Sequence, residues 1–270
     1  MVEGVEVAKQ FGASNMAPHT IHALVTTKCS LNCAGCFYKQ KEPGEWSWPL
    51  AESIVRQAAA MRVKWFAIGG GEPTEWRLLN DLLVFLFRHH IHTAVTTNGV
   101  VLRPVLADRV HISHDRMHTC ATGCIDNPEG RIIDVLRAID YYKGLGSLVA
   151  INTPLNEACD IDKRILRAVD TVVVLLPKPW ERTEGWDAYL RTTMAQLSLA
   201  GPQICADSCL THLMSGGCQQ GRTSMAIDQH GHYSVCSNGD KKVEASSLQV
   251  GWDLVRCREE NGLPDGCILK

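Results

Sequence analysis

Residues 21–36, IHALVTTKCSLNCAGC, run from an apolar segment directly into three cysteines, Cys29, Cys33 and Cys36. A closed zinc site, or a four-iron cluster held by protein alone, takes four thiolates. Three thiolates on a four-iron cluster leave one iron with an open position, which suits a catalytic metal better than a structural one. Soft thiolates select zinc or iron–sulfur clusters. The segment therefore predicts a metal centre directly after a strand.

Composition and charge limit the class of protein. The chain has 270 residues, 45% hydrophobic and 21% charged, with a net charge of −2. This suits one large α/β domain, or one of about 200 residues with a small appendage, and argues against a broad nucleic-acid surface. The sequence contains neither a signal peptide nor an apolar run of about 20 residues that would span a membrane. We expect a cytoplasmic protein, in which the twelve cysteines bind metal rather than form disulfides.

Short apolar runs alternate with segments of helical periodicity. The runs are residues 21–25, 64–68, 92–96, 110–113, 147–151 and 171–176, and helices are expected within residues 48–62, 77–90, 127–144 and 156–170. This alternation predicts a parallel sheet of right-handed βαβ units. The predicted fold class is α/β, with six strands in a partial (β/α)6 barrel of the TIM type.

The alternation ends in LLPKPWERTEGWD, residues 175–187, where prolines and a glycine interrupt it. Such residues are typical of a boundary. We therefore divide the chain into a barrel domain, residues 1–180, and a small cysteine-rich module, residues 181–270.

Four loops follow the first four predicted strands. They are the three-cysteine loop, GGGEPT at 69–74, TTNG at 96–99 and SHD at 113–115. Each loop by itself is more typical of a turn than of a ligand site. In parallel sheets, however, ligands bind beyond the C-terminal ends of the strands, so their common placement predicts one site.

The spacing Cys29-x3-Cys33-x2-Cys36, followed by GGEPT after the second strand, resembles the radical S-adenosylmethionine (radical SAM) superfamily. The resemblance implies that these cysteines hold a [4Fe-4S] cluster whose open iron binds S-adenosylmethionine. One electron then cleaves the cofactor to a 5′-deoxyadenosyl radical, which abstracts hydrogen from a substrate. An electron donor such as flavodoxin or ferredoxin is implied as well.

The resemblance also implies cofactor-binding residues. Gly70, Gly71 and Glu72 match the family's methionine-binding GGE, which directs the Glu72 carboxylate to the ammonium group of the cofactor. The family often has an aromatic residue before the third cysteine, near adenine, but Gly35 stands here, and Phe37 or Tyr38 is the candidate substitute. Positions that correspond to ribose and carboxylate contacts are Thr97, Asn98, Ser113 and His114.

The tail resembles the auxiliary-cluster region of the SPASM and Twitch subfamilies. Gly217-Cys218 and Gly221 fit its turn, and Cys236 ends a segment that reads independently as a β-hairpin. A second, auxiliary Fe–S cluster in a Twitch-like module is therefore implied. Its expected ligands are Cys218 and Cys236 with two further cysteines, for which Cys205 and Cys209 are favoured over Cys257 and Cys267. Structural zinc is the alternative.

Another group, HISHDRMHTCATGC at 111–124, combines histidines and cysteines. A third metal site is one interpretation, but His111 lies within a strand pattern, where a packed histidine is more usual. Cys120 and Cys124 are better candidates for substrate contact or hydrogen donation. Cys257 is a further candidate for hydrogen donation.

The favoured function is radical modification of a peptide or protein side chain with help of the auxiliary cluster. The 28 residues before Cys29 are too few for a separate leader-binding domain, so a peptide substrate would require a partner protein or leaderless recognition. One alternative is a radical dehydrogenase or epimerase of a small polar metabolite. An alternative of another class is a non-enzymatic Fe–S or zinc binding protein.

Overall fold

The computed structural model describes residues 17–31, 33, 36, 38, 41–116, 118, 128–177, 184–215, 218, 220–239 and 241–256. Four candidate site residues, Phe37, Cys120, Cys124 and Cys257, lie outside the described residues, as do Gly35, Gly217 and Cys267. Their predicted roles stay predictions.

Strands and helices alternate along the described chain. The strands are β1 (Thr20–Thr26), β2 (Trp65–Gly70), β3 (His92–Thr97), β4 (Arg109–Ser113), β5 (Leu148–Pro154), β6 (Thr171–Leu175), β7 (Gln203–Ala206), β8 (Ser224–Ile227) and β9 (Tyr233–Ser234). The α-helices are α1 (Trp48–Ala60), α2 (Leu79–Arg88), α3 (Pro128–Gly144), α4 (Lys163–Ala168), α5 (Trp186–Ser198), α6 (Ser208–Ser215) and α7 (Leu248–Val255). None of these helices combines the length and hydropathy that a membrane-spanning helix needs.

The strands form one sheet in the order β7-β6-β5-β4-β3-β2-β1-β8-β9. Neighbours run parallel except β8 and β9, which form the expected antiparallel hairpin. All six predicted strands are confirmed, and the α/β class with its mostly parallel sheet is as expected. The predicted helix within residues 156–170 is shorter than expected, because a 3-10 turn at Ala158–Asp160 precedes α4.

The sheet is wider than the six strands predicted. β7 pairs with β6 at one edge, and β8 pairs with β1 at the other. The three added strands have four residues in β7 and β8 and two in β9, which is too short for alternation to identify them as members of the main sheet. The boundary near residue 180 stays a prediction, but strands beyond it extend both edges of the barrel sheet.

Helices bury one face of the sheet. The buried residues of α1 are Ala51, Ile54, Val55 and Ala58, and those of α2 are Leu79, Leu82, Leu83 and Leu86. Their spacing is that of one helical face, and burying each large side chain contributes about 1.5–3 kcal/mol. Along β2, β3, β4 and β6, buried residues alternate with half-exposed ones. The second face of the sheet is therefore partly exposed along these strands.

Asp228 connects the β8–β9 hairpin to the barrel. Its carboxylate accepts hydrogen bonds from Lys242 Nζ at 2.6 Å and from the backbone N–H groups of His230 and His232. Its carbonyl accepts the buried indole N–H of Trp46 at 2.6 Å. Burial opposes ionisation, but the hydrogen bonds and the charge of Lys242 hold the pKa of Asp228 below its usual value.

We predict that Asp228→Asn lowers the unfolding free energy at pH 7 by about 1–3 kcal/mol, because the hydrogen bonds lose their charged acceptor. A depressed folded-state pKa stabilises the fold above the unfolded value of 3.8, and this contribution is lost as the pH falls through the folded-state pKa. Urea unfolding from pH 7 to pH 3 should therefore show the parent and variant converging at the acidic end.

The matched control is Asp253→Asn, because Asp253 is more exposed and faces Arg256 at 3.4 Å. This change should cost no more than about 0.5 kcal/mol. An equal loss of unfolding free energy in both variants at pH 7 would show that the hydrogen bonds of the Asp228 carboxylate make no special contribution to stability.

Candidate active site

The loops after β1 and β2 are joined by their backbones. The N–H of Gly71 donates to the carbonyl oxygen of Thr26 at 2.7 Å, and the N–H of Glu72 donates to that of Lys28, also at 2.7 Å. The three-cysteine loop and the GGE segment thus meet at the C-terminal edge of the sheet. This juxtaposition is the one that the sequence predicted.

Two glycines make the approach of these loops possible. A Cβ atom on Gly70 would collide with the carbonyl oxygen of Thr26, and one on Gly71 with that of Lys28. Gly70 also has a φ of +127°, in the region that favours glycine. A Cβ on the neighbouring Gly69 would meet no atom within 4 Å. The requirement for glycine is therefore steric and specific to the second and third positions of the run.

The three predicted cluster ligands differ in exposure. Cys33 is buried, while Cys29 and Cys36 are half-buried, and the N–H of Cys36 donates to the carbonyl oxygen of Cys33 at 3.4 Å. Burial raises the pKa of the Cys29 thiol, the backbone of Leu31 opposes this, and the charges of Glu72 and Glu75 raise it further. A bound cationic metal centre would favour the thiolate form instead, and three cysteine thiols in one loop are a donor set that fits such a centre.

No three Cys, His, Asp or Glu side chains within the described ranges are arranged as a metal site. The described cysteines, including Cys29, Cys33 and Cys36, form no disulfides. The ligation of a cluster by these three thiols accordingly stays a prediction, supported by the donor type and by their location in one loop.

The carboxylate of Glu72 is buried, with 2% of the residue exposed. It accepts four hydrogen bonds, from Thr74 N at 3.1 Å, Thr74 Oγ1 at 2.8 Å, Thr97 Oγ1 at 2.9 Å and Asn98 N at 2.7 Å. Three of these donors reach Oε1 and one reaches Oε2, so Oε2 keeps an acceptor position. The carboxylate therefore supports the end of β3, and its expected contact with an ammonium group stays a prediction.

Asn98 links this carboxylate to the cysteine loop. Its backbone N–H donates to Glu72, its Oδ1 accepts the N–H of Val100 at 2.9 Å, and its Nδ2 lies 3.9 Å from Cys29 Sγ. The side chain thus faces a predicted cluster ligand. Its expected contact with the ribose or carboxylate of a cofactor stays a prediction.

A buried arginine at the same edge was missed by sequence reasoning. Arg131, only 3% exposed, donates from Nη2 to the carbonyl oxygens of Ser113 at 3.1 Å and Asn98 at 3.4 Å. It stands on the buried stripe of α3 that includes Val135, Ala138 and Ile139. A charged residue at helical spacing on an apolar face was the signal that could have identified it.

His114 follows β4 beside this arginine. Burial, and next the charge of Arg131, lower the pKa of His114 to about 4. The imidazole is therefore neutral near pH 7, and at this edge it can act as a hydrogen-bond donor or acceptor rather than a cation.

The candidate tail ligands lie in four different segments. Cys205 is in β7, opposite Val173 of β6, and Cys209 is in α6. Cys218 and Cys236 are buried, with 4% and 9% exposure. Their assembly into one cluster site stays a prediction.

The end of the hairpin contacts the cysteine loop. Lys41 Nζ donates to the carbonyl oxygen of Ser237 at 3.3 Å and lies 5.5 Å from the ring centre of Tyr38. Burial, and then the charges of Cys36 and Cys236, raise the pKa of Tyr38 to about 12. Cys236 is therefore near the predicted cluster loop.

His111 and His118 both have protein partners. His111 Nδ1 lies 3.0 Å from Asn152 Oδ1 on the neighbouring strand β5, in agreement with the packing interpretation. His118 Nδ1 pairs with Asp115 at 2.8 Å. Because Cys120 and Cys124 are not described, their substrate roles stay predictions.

Comparison with known proteins gives a family and relatives. The family model described as Radical SAM superfamily matches residues 24–164. The chain is similar to mycofactocin maturase MftC of Mycobacterium ulcerans (strain Agy99), at 30% identity over 120 residues, 44% of this chain and 30% of that protein. MftC of Mycobacterium tuberculosis (strain CDC 1551 / Oshkosh) is 32% identical over 104 residues, 38% of this chain and 27% of that protein. The matched segment thus spans under a third of these relatives.

Solved structures share the fold. Streptococcus suis SuiB bound to S-adenosylmethionine aligns with a TM-score of 0.66 at 17% identity, covering 87% of this chain and 66% of that chain. SuiB bound to its precursor peptide SuiA gives the same score and identity, covering 87% and 65%. The anSMEcpe structure with bound AdoMet and the Cp18Cys peptide aligns at 0.59 and 17%, covering 85% and 77%. These alignments support the partial-barrel fold.

We predict that Gly71→Ala lowers the unfolding free energy by about 1–3 kcal/mol, the usual range for an overpacked site. Gly69→Ala is the control, because a methyl group there meets open space, and it should leave the unfolding free energy within about 0.5 kcal/mol of the parent. Urea unfolding of the three proteins measures both. Equal stability of the two variants would contradict the steric role of Gly71.

Proposed function

Because this chain belongs to the radical SAM superfamily, whose model matches more than half of its 270 residues, we propose that it cleaves S-adenosylmethionine reductively and modifies a peptide or protein side chain. The observation that carries the proposal is the pair of 2.7 Å backbone hydrogen bonds that join the three-cysteine loop to the GGE segment. They bring the candidate metal ligands and the candidate cofactor-binding loop to one edge of the sheet.

In this proposal Cys29, Cys33 and Cys36 hold a [4Fe-4S] cluster. When bound there, such a cluster would supply the electron for reductive cleavage of the sulfonium group of S-adenosylmethionine. Gly70 and Gly71 keep the loop close to the cysteines. The electron is proposed to come from a donor such as flavodoxin or ferredoxin, in the cytoplasm.

The carboxylate of the cofactor's methionine moiety is proposed to lie near Arg131. A buried guanidinium is a strong partner for a carboxylate. This one donates to the backbone carbonyl oxygens of Asn98 and Ser113 at the same edge of the sheet. Neutral His114 adds no second positive charge at pH 7. Thr97 and Ser113 complete the proposed surroundings of the cofactor, and Phe37 remains the candidate for the adenine contact.

Three observations favour a peptide or protein substrate. The curated relatives are named maturases, and one solved neighbour is described in complex with a precursor peptide. The sheet also has a half-exposed face along β2, β3, β4 and β6, on the side away from the buried core. In this proposal, a substrate side chain reaches the candidate metal site along this face. A small polar metabolite remains the alternative substrate.

We further propose that the tail holds an auxiliary Fe–S cluster. Cys218 and Cys236 are buried thiols, Cys205 and Cys209 are half-buried, and these described cysteines form no disulfides. Soft thiolates in a protected environment suit an Fe–S cluster, and zinc is the alternative. Cys236 also lies near Tyr38 in the cysteine loop, which would bring the two metal sites toward each other.

We predict about eight irons per chain after anaerobic reconstitution, four for each of two clusters. The Cys29/Cys33/Cys36→Ala variant should lose roughly half of the iron and all S-adenosylmethionine cleavage, because it loses the open-coordination cluster. The Cys218/Cys236→Ala variant should lose the other half while still releasing 5′-deoxyadenosine with dithionite. Iron analysis and chromatography of the products measure these outcomes, and each variant is the control for the other.

Unchanged cofactor cleavage in the first variant would overturn the proposed function. Zinc that is present in the parent and lost in the Cys218/Cys236→Ala variant, with no loss of iron, would assign the tail to a structural zinc site instead of an auxiliary cluster. Mass spectrometry of peptides and small metabolites from cells with and without the active protein tests the substrate class. Changes confined to small metabolites would favour the dehydrogenase or epimerase alternative.

A further inference from the structure

The side chain of Asn98 is fixed at both ends. Its Oδ1 accepts the N–H of Val100 at 2.9 Å, which directs Nδ2 toward Cys29 Sγ at 3.9 Å. Asn98 is 7% exposed, so little water competes for this amide. Asn98 follows β3 and Cys29 follows β1. The contact therefore joins the loops that follow these two strands at the C-terminal edge of the sheet.

We propose that Asn98 is a positioning residue that donates an N–H···S hydrogen bond to Cys29 and thereby raises the reduction potential of the cluster, with Glu72 holding Asn98 in place. The inference rests on the proposed function, since it requires Cys29 to ligate the cluster. It gives the Asn98 side chain a role toward the cysteine loop, with Glu72 as its support.

The physical reason is electrostatic. Reduction adds negative charge to an Fe–S cluster, and this charge is shared with its cysteine sulfurs. A hydrogen-bond donor aimed at one sulfur stabilises the reduced form and raises the potential. The effect is stronger where water is excluded, as it is around this buried amide.

Glu72 provides the support for Asn98. Its Oε2 accepts the backbone N–H of Asn98 at 2.7 Å, while its Oε1 accepts Thr97 Oγ1 and two donors of Thr74. The ends of β2 and β3 are thereby tied through one buried carboxylate. A purely structural role for these contacts would affect stability but would leave the potential of a fully loaded cluster unchanged.

The test compares three single variants of the reconstituted full chain. Asn98→Asp keeps the acceptor for Val100 but loses the Nδ2 donor, and Asn98→Leu loses the donor without adding charge. Asn80→Asp is the matched control, because Asn80 also donates from Nδ2 to a backbone carbonyl, at Pro104, and accepts a backbone N–H, from Leu106. Redox titration followed by electron paramagnetic resonance (EPR) gives the cluster potential, with iron content measured on each sample.

We expect both Asn98 variants to shift the potential to more negative values and Asn80→Asp to match the parent. A shift in Asn98→Asp without one in Asn98→Leu would assign the effect to charge and overturn the proposal. Unchanged potentials in both Asn98 variants would also overturn it.

A second measurement applies to variants that take up little Fe–S cluster on reconstitution. Pulsed electron–nuclear double resonance of the reduced parent cluster should detect a proton coupling that disappears in D₂O and in Asn98→Asp but persists in Asn80→Asp. Its presence unaltered in Asn98→Asp would contradict the hydrogen bond. Failure of the parent protein to hold any cluster would instead refute the proposed function, so the two failures are distinguishable.

Discussion

The close approach of two backbones is the constraint on which the site depends. Carbonyl oxygens at Thr26 and Lys28 accept the N–H groups of Gly71 and Glu72, and the adjoining space has no room for a Cβ on Gly70 or Gly71. Parallel strands β1 and β2 supply the register that makes this meeting possible. Gly70 and Gly71 therefore belong to the edge of the sheet as well as to a candidate ligand loop. They allow the loop after β2 to pack against the backbone that leads into the cysteines.

The second constraint concerns the side chain of Glu72. The backbone of Glu72 is held by Lys28, and its carboxylate is buried in the protein. A buried carboxylate is costly unless its oxygens are hydrogen-bonded, and donors from Thr74, Thr97 and Asn98 meet that requirement. The end of β3 is thus held against the end of β2. Arg131 extends the same arrangement to β4 through the carbonyl oxygens of Asn98 and Ser113, so one connected set of polar contacts joins the loops of four strands.

Much of this arrangement could be predicted from sequence, since strand alternation and the rule for parallel sheets place these loops at one edge. The direction of a side chain could not be: the GGE pattern identifies Glu72 but does not reveal that its carboxylate faces inward. Arg131 was missed because its significance depends on which helical face is buried. The four-residue strands β7 and β8 were missed as members of the main sheet because so short a segment carries almost no periodicity, and their pairing depends on contacts distant in sequence.

The central claim is that the joined loops hold a cluster with one open iron. The most direct test is EPR of the dithionite-reduced full chain, recorded with and without S-adenosylmethionine. Binding of the cofactor to the open iron should change the line shape and g values of the reduced cluster. Identical spectra at saturating cofactor would contradict the account, because a cluster with four protein ligands has no position at which the cofactor can bind.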